Sequence, residues 1–413
     1  MSFDTIEYNK RVRRALEHVR NSTTDHYPEI RRFEAEDFTD PARAKLERDR
    51  VFGAVPSIAC HSSEIAKPND FVTIRMPRNN IIVVRQKDGS VKSFVNACRH
   101  RGSLVEAQPS GRARLFSCPY HRWSYDTDGK LREITKANTF GEVDREKQGL
   151  IEIPTEERHG FVWVVDRFGA AIDVAAWLGE EVDRILAGFE LDKLLNVKSG
   201  AFEYEINWKI TQDAFLDAYH IQYAHPNTAA KHVHTNAIAV QDFGRHASST
   251  TARKTIDRWL EEDPGDMDLT PFVTEAYFLM PNSTLLRQPD HFELLTFRPD
   301  RENPERSTME MRVLAPSLED SGWTEERWNK VWDKNWKILI DVIQQEDIPI
   351  LSGAQKAMQS DDAGTMLLGH NEYINHVFHR ELAKLVATEP KGIKRAEDTS
   401  VSATAQPQPV AGG

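Results

Sequence analysis

Residues 1–45 are polar with helical spacing of their apolar positions, interrupted at Pro28 and Pro41. From about residue 50 to 165 the pattern changes to short β-like runs, "FVTIRM", "NNIIVVRQ", "VKSFVN", "RLFSCP" and "GFVWVVD". Turn sequences such as "KDGS" and "DTDGK" separate them, so this region is predicted to be a small all-β domain. "VAAWLGEEVDRILAGF" then reads as a helix. Residues 198–315 mix strands ("GAFEYEINWK", "EAYFLMP", "FELLTFRP", "STMEMRVLAP") with a helix near 208–224. Residues 324–345 are strongly helical, with Thr324 as N-cap and Glu325 and Glu326 in the first turn. Trp328, Trp332 and Trp336 stand at i, i+4 and i+8 ahead of Ile340, the spacing of a packed helix face. A last helix covers about 370–387, and the polar tail "EDTSVSATAQPQPVAGG" is expected to be disordered.

Composition narrows the class. The chain has 413 residues, 39% apolar and 28% charged, enough for one large or two ordinary domains. A net charge of −11 without a basic run argues against nucleic acid as a partner. No apolar run approaches the ~20 residues of a membrane span, and "MSFDTIEYNKRVRRALEHVR" lacks the apolar core of a signal peptide. Three cysteines cannot form a disulfide framework, so a reducing, cytoplasmic setting is expected, where cysteines more often bind metal.

Two of those cysteines lie in "ACRHRGSLVEAQPSGRARLFSCPYHRW", Ala97 to Trp123, each close to a histidine: Cys98 with His100, Cys118 with His121. A structural zinc site could use these four ligands. Zinc fingers, however, usually pair Cys with Cys and His with His, whereas here each loop offers one of each. A two-iron cluster with two thiolates on one iron and two imidazoles on the other suits that arrangement, and the neutral imidazoles raise its reduction potential. Pro119 would stiffen the second loop, Gly102 would allow close approach of the first, and Trp123 could form an apolar lid. The loops "CRHRG" and "CPYHRW" resemble those of the Rieske [2Fe–2S] domain of ring-hydroxylating oxygenases. Cys60, beside His61, has no such partner and reads as a buried structural thiol.

A second motif follows in "NWKITQDAFLDAYHIQYAHP", Asn207 to Pro226, which contains D-x-x-H-x-x-x-x-H: Asp217, His220 and His225. Asp217 and His220 share a helix face. His220 and His225 lie about 140° apart on a regular helix, so they can bind one metal only if the helix ends or bulges between them. After a Rieske domain, this stretch resembles the catalytic motif of Rieske oxygenase α subunits. Non-haem iron that activates O2 takes two histidines and one carboxylate. The resemblance places that carboxylate on a long C-terminal helix at "VIQQEDIPILSGAQ", with Asp347 as the choice and Glu346 as the rival. The sequence departs from many relatives at Asp213, where an Asn often lies near the iron. His232 and His234 match nothing in the motif and read as loop histidines.

The resemblance implies an α+β chain: an all-β Rieske domain plus a helix-grip (START-like) catalytic domain, in which an antiparallel sheet wraps a long helix. The expected boundaries are a helical arm over 1–45, the Rieske domain over 46–165, the mononuclear iron domain over 166–390 and a tail over 391–413. Electrons would pass from the cluster to Fe(II), where O2 is reduced while a small organic, aromatic substrate is hydroxylated; oxidative O- or N-demethylation is the alternative within the family. The chain lacks a G-x-G-x-x-G after a strand and enough cysteines for a plant-type cluster. NAD(P)H would thus act only through a separate reductase, with or without a ferredoxin. The resemblance also implies a head-to-tail homotrimer, or an α3β3 assembly with a small subunit, in which Asp217 bridges His220 to His121 of a neighbour. From a different class, a Rieske electron-transfer protein without oxygenase activity remains open; it would have no use for D-x-x-H-x-x-x-x-H.

Overall fold

The computed structural model describes residues 5–388 other than Asp266; the tail expected over 391–413 lies outside them. The β-rich segment forms three small antiparallel sheets. Asp70–Arg75, Asn80–Arg85 and Val91–Val95 make a meander, flanked by Ser110–Arg112 and Glu152–Ile153. Its central run, Ile81 to Val84, is β-branched and buried on both sides. Ile82 and Val84 face one core with Phe94, Cys98 and Cys118, while Ile81 and Val83 face another with Ala59 and Cys60. Cys60 is therefore walled off from the motif cysteines by a sheet, and burial pushes its thiol up. His61 is also structural: Nδ1 accepts from the Ser63 N–H, and Nε2 lies 3.1 Å from the Leu191 carbonyl.

The second half is built on seven antiparallel strands: β1 (Leu195–Tyr204), β2 (Val233–Asp242), β3 (Ala247–Arg253), β4 (Val273–Leu279), β5 (Ser283–Arg287), β6 (Phe292–Pro299) and β7 (Ser307–Ala315). Their order is β1-β7-β6-β5-β4-β3-β2. Side chains alternate between the faces. The outer face buries Tyr277, Leu285 and Leu294 under helix Val174–Gly188, and Ala239, Ala252 and Val273 under helix Thr5–Asn21. The inner face wraps the C-terminal helix Tyr373–Ala387, whose Ile374, Val377, Phe378 and Leu382 meet Phe278 and Leu295. This is the expected helix grip.

The helix expected over 324–345 starts at Glu325, with the Thr324 side chain accepting from the Arg327 N–H. It continues past 345 through a π turn at Ile343–Asp347 into Ile348–Met358. The tryptophan stripe is its packed face, with Trp332 1% exposed against Val313 and Ala315. Two expectations need correction. The arm over 1–45 is not all helical, because Arg31–Glu34 pairs as a strand with Thr365–Leu368. Its alternating burial turns Phe33 inward, a period of two that the charged neighbours obscure. The helix near 208–224 is two short helices, α-helical Trp208–Ala214 and Ile221–Ala224. The Asp217 carboxylate captures the N–H groups of Tyr219 and His220, which competes with helical bonding across the gap.

The "NWK" tripeptide anchors the arm. Asn207 Nδ2 donates to the Phe38 and Pro304 carbonyls at 2.7 and 2.8 Å. Lys209 Nζ and Trp208 Nε1 both donate to the buried Glu47, at 2.9 and 3.0 Å. A second buried ionic cluster joins the two halves of the chain. Arg298 pairs with Glu310 and donates to the Ile58 carbonyl at 2.9 Å, while Arg312 bridges Glu310 and Glu64. Burial raises the Glu310 carboxyl, but the two guanidinium groups prevail and hold it at about 2 against an ordinary 4.5. Because the folded pKa is depressed, the stabilisation is present above about pH 4.5 and lost as pH falls towards 2. Glu310→Gln is expected to lose about 3–5 kcal/mol in denaturant melts at neutral pH, since it leaves buried cations undercompensated. The variant's stability should also depend less on pH in that acid window; an unchanged acid limb would exclude Glu310 as its source.

Candidate metal centres

The two cysteine loops share one backbone scaffold. Cys98 donates its N–H to the Ser103 carbonyl and accepts from the Gly102 N–H, both at 2.8 Å; Cys118 does the same with Trp123 and Arg122, both at 2.9 Å. The residue four after each cysteine is left-handed, Gly102 at φ +77° and Arg122 at φ +59°. Gly102 thus serves the turn, whose positive φ favours a residue without a side chain. Both thiols are buried and unpaired by disulfide, while the imidazoles are half-buried at the rim. The His100 and His121 rings lie 4.6 Å apart. Trp123 stacks on His100 at 5.0 Å, the lid that its position suggested. Tyr125 was missed: its hydroxyl lies 3.4 Å from Cys98 Sγ and accepts from the Arg99 N–H at 2.9 Å.

The donor spacing discriminates between zinc and a cluster. One zinc ion with bonds of ~2.0–2.3 Å holds its donors within about 4 Å of one another. Among the described residues, the three-donor set whose atoms all lie within 4.8 Å is His220, His225 and Asp347; no three of Cys98, His100, Cys118 and His121 meet that limit. These loops are too open for one ion and fit a two-iron cluster.

The second set converges as the motif required. His220 and His225 flank the helix Ile221–Ala224, and the chain leaves the helix at His225, which overcomes their divergence. Their Nε2 atoms are 3.2 Å apart, and Asp347 Oδ1 lies 3.0 Å from His225 Nε2 and 3.6 Å from His220 Nε2. Glu346 does something else: its Oε2 lies 2.6 Å from His225 Nδ1 and accepts from the Thr228 hydroxyl at 2.7 Å. An Nδ1–H donated to Glu346 leaves Nε2 free for a metal. Burial disfavours a charged His220, yet Asp217 and Asp347 carry its pKa up to about 9. Burial likewise raises Asp347, but His220 and His225 bring it below the usual carboxylate range. Three donors polarised in this way, His225 and Asp347 buried and His220 half-buried, suit a divalent cation.

Asp217 Oδ2 lies 3.4 Å from His220 Nδ1. Among the described residues no contact joins it to His121. Asp213 turns away to the C-terminal helix, 2.8 Å from His379 Nε2 and 3.0 Å from Asn375 Nδ2. His232 lies outside regular structure, but His234 is no loop histidine: it is the second residue of β2, in the irregular stretch between the paired Val233 and Ile238, and its Nε2 lies 2.7 Å from Asp257. Thr228, Asn375 and His379 were also missed, and only Thr228, three residues past His225, carried a local signal.

Comparison with known proteins follows the same division. Residues 56–148 match the Rieske [2Fe-2S] domain, and residues 191–388 match the ring hydroxylating α subunit catalytic domain. The chain belongs to the Rieske oxygenase α subunits. It is 35% identical over 198 residues to the large subunit of anthranilate 1,2-dioxygenase from Acinetobacter baylyi, covering 46% of this chain and 41% of that one. The chain thus spans less than half the length of that relative. It is 26% identical over 334 residues to the chloroplastic choline monooxygenase of Atriplex hortensis, covering 78% and 70%. A quaternary ammonium Rieske monooxygenase, described for carnitine oxidation and inter-subunit electron transfer, shares the fold at TM-score 0.71 and 20% identity, over 86% of this chain and 94% of that one. In a Rieske α subunit the cofactors are a [2Fe–2S] cluster and mononuclear non-haem iron, with O2 as co-substrate.

Tyr125→Phe is expected to keep the cluster's visible spectrum and lower its reduction potential, read by potentiometric titration, because a donor near Cys98 Sγ is lost. Glu346→Ala is expected to weaken ferrous-iron binding about 10–100-fold without bleaching the cluster. If Glu346→Ala removed the iron completely while Asp347→Ala retained it, their roles would be exchanged.

Proposed function

We propose that this chain is the terminal oxygenase of a multicomponent system, hydroxylating an aromatic or related small organic substrate. The observation that carries the reading is the convergence of His220, His225 and Asp347 in a chain that also bears a Rieske domain. In this reading Cys98, His100, Cys118 and His121 hold the cluster, and the other three side chains hold Fe(II), within domains bounded at 46–165 and 166–390. Bound iron supplies the reduction of O2. The chain's own residues orient the donors: Glu346 fixes the His225 ring, and Asp217 steadies His220. A Rieske electron carrier is disfavoured, because it has no use for a buried two-histidine, one-carboxylate set. The relatives' names include both dioxygenases and monooxygenases, so demethylation or hydroxylation of a non-aromatic substrate remains the alternative chemistry.

Assembly is part of the proposal. The Rieske imidazoles lie at the rim, and among the described residues Asp217 meets no Rieske residue of its own chain. A head-to-tail ring of three would put His121 of one subunit beside Asp217 of the next, and the related structure described for inter-subunit electron transfer supports this. A separate reductase, with or without a ferredoxin, would supply electrons. The described residues include no helix long and apolar enough to cross a membrane.

Purified protein is expected to contain about three irons per chain, two in the cluster and one mononuclear. His220→Ala or His225→Ala should remove about one iron, spare the cluster spectrum and abolish turnover. Wild-type protein with about two irons would support the carrier instead. Asp217→Asn is expected to assemble with a reducible cluster yet turn over little substrate. If rapid mixing of the pre-reduced variant with substrate and O2 gave product at the wild-type rate, the bridging role would be lost.

A further inference from the structure

The C-terminal helix Tyr373–Ala387 buries polar residues beside the apolar ones that fill the sheet. Burying an amide or an imidazole is unfavourable unless it is hydrogen-bonded. His376 answers locally, with Nε2 3.0 Å from the Gly369 carbonyl. Asn375 and His379, one turn apart and only 1% and 5% exposed, both reach a single residue far away in the chain, Asp213. His379 Nε2 lies 2.9 and 2.8 Å from the two carboxylate oxygens. Asn375 Nδ2 donates to Asp213 Oδ1 at 3.0 Å and to its backbone carbonyl at 2.9 Å. The His379 ring is held in turn, with Phe33 of the N-terminal arm 4.3 Å from it and Phe378 4.7 Å.

Asp213 is the last residue but one of helix Trp208–Ala214, which at seven residues is too short to be stable by itself. The carbonyl that Asn375 grips also accepts from the Leu216 and Asp217 N–H groups, both at 3.1 Å. Asp217 depends on that anchor. Among the described residues its carboxylate has hydrogen-bond or ion-pair partners only in Tyr219 and His220, both in its own loop. The strip that bears the two histidine donors is tethered at its far end by Glu346, which meets His225 and Thr228. At its near end the buried Leu216 sets the depth of the loop, and the Asp213 carbonyl sets where the Asp217 N–H points. Asp213 itself is not one of the three donors that converge.

We infer, resting on the proposed bridging role of Asp217, that Asp213 is a positioning residue for electron transfer. Clamped by His379 and Asn375, it fixes the backbone that carries Asp217 and so the alignment of Asp217 with His220. It acts through Asp217 and is not a catalytic residue. A misplacement of about 1 Å, caused far from the chemistry, can cost about 100-fold in rate. Loss of the clamp therefore slows the electron while the iron stays bound.

The test follows one electron in holoprotein oxidised at both centres, so no substrate is needed. Dithionite is mixed in to one electron per chain. Absorbance reports the cluster taking up the electron, and freeze-quench paramagnetic resonance reports ferric mononuclear iron becoming ferrous. Asp213→Ala and His379→Phe are expected to keep the wild-type iron content, cluster spectrum and assembly size, yet slow the loss of the ferric signal about tenfold or more. His379→Gln, whose amide N–H can stand in for the ring Nε2–H, should recover most of the rate. In the same holoprotein the Tyr219 and His220 amides should exchange with solvent faster in the first two variants, because the Asp217 carboxylate no longer holds them. If Asp213→Ala fails to fold, the two His379 variants decide. A wild-type rate in His379→Phe, no recovery in His379→Gln, loss of mononuclear iron from the variants, or amides as protected as in wild type overturns the inference. Asp217→Asn separates this from failure of the reading beneath it: a wild-type rate there defeats the bridge, whereas a slow rate there with a wild-type rate in His379→Phe defeats only the clamp.

Discussion

His225 is held on both ring nitrogens by consecutive carboxylates of one helix, Glu346 on Nδ1 and Asp347 on Nε2. Neighbouring side chains on a regular helix diverge by about 100°. For both acids to reach one imidazole, the helix is wound as a π turn over Ile343–Asp347. The opposing chain must supply the histidine at a fixed depth. It does so by breaking the helix after Ala214 and resuming at Ile221, with Asp217 taking up two backbone donors in the gap. The tryptophan stripe and the NWK anchor hold the two strips of chain that meet there, one on β7 and the other on the arm.

The Rieske half obeys a different constraint. Its thiols are buried and its imidazoles reach the rim, so the histidine edge is the natural exit for an electron. That edge makes no contact with Asp217 among the described residues of the same chain, which is why the proposed assembly and the proposed electron path are one problem. The clamp of Arg298, Glu310, Arg312 and Glu64 fixes how each Rieske half sits on its own catalytic sheet. In the proposed assembly it would also fix the direction in which the histidine edge is offered to a neighbour.

Local spacing made much of this chain legible. Cys98, His100, Cys118 and His121 sit in two short loops whose conformation is set within five residues, and D-x-x-H-x-x-x-x-H carries two donors on neighbouring turns. Strands such as Asn80–Arg85 announce themselves by β-branched runs. The break after Ala214 was not visible, because Asp217 competes with a helix only when packing holds its carboxylate in place. Nor could sequence alone separate Glu346 from Asp347, since adjacent acids are equivalent until a π turn and an imidazole distinguish them. Arg31–Glu34 reads as part of a polar helical arm and the start of β2 as a loop, and pairing with distant strands supplies their structure. Thus the sequence by itself determined the donor types and the fold class, which depend on short-range spacing and periodicity. The tertiary structure decided which acid meets which nitrogen and where Asp213 turns, because those depend on contacts between segments far apart in the chain.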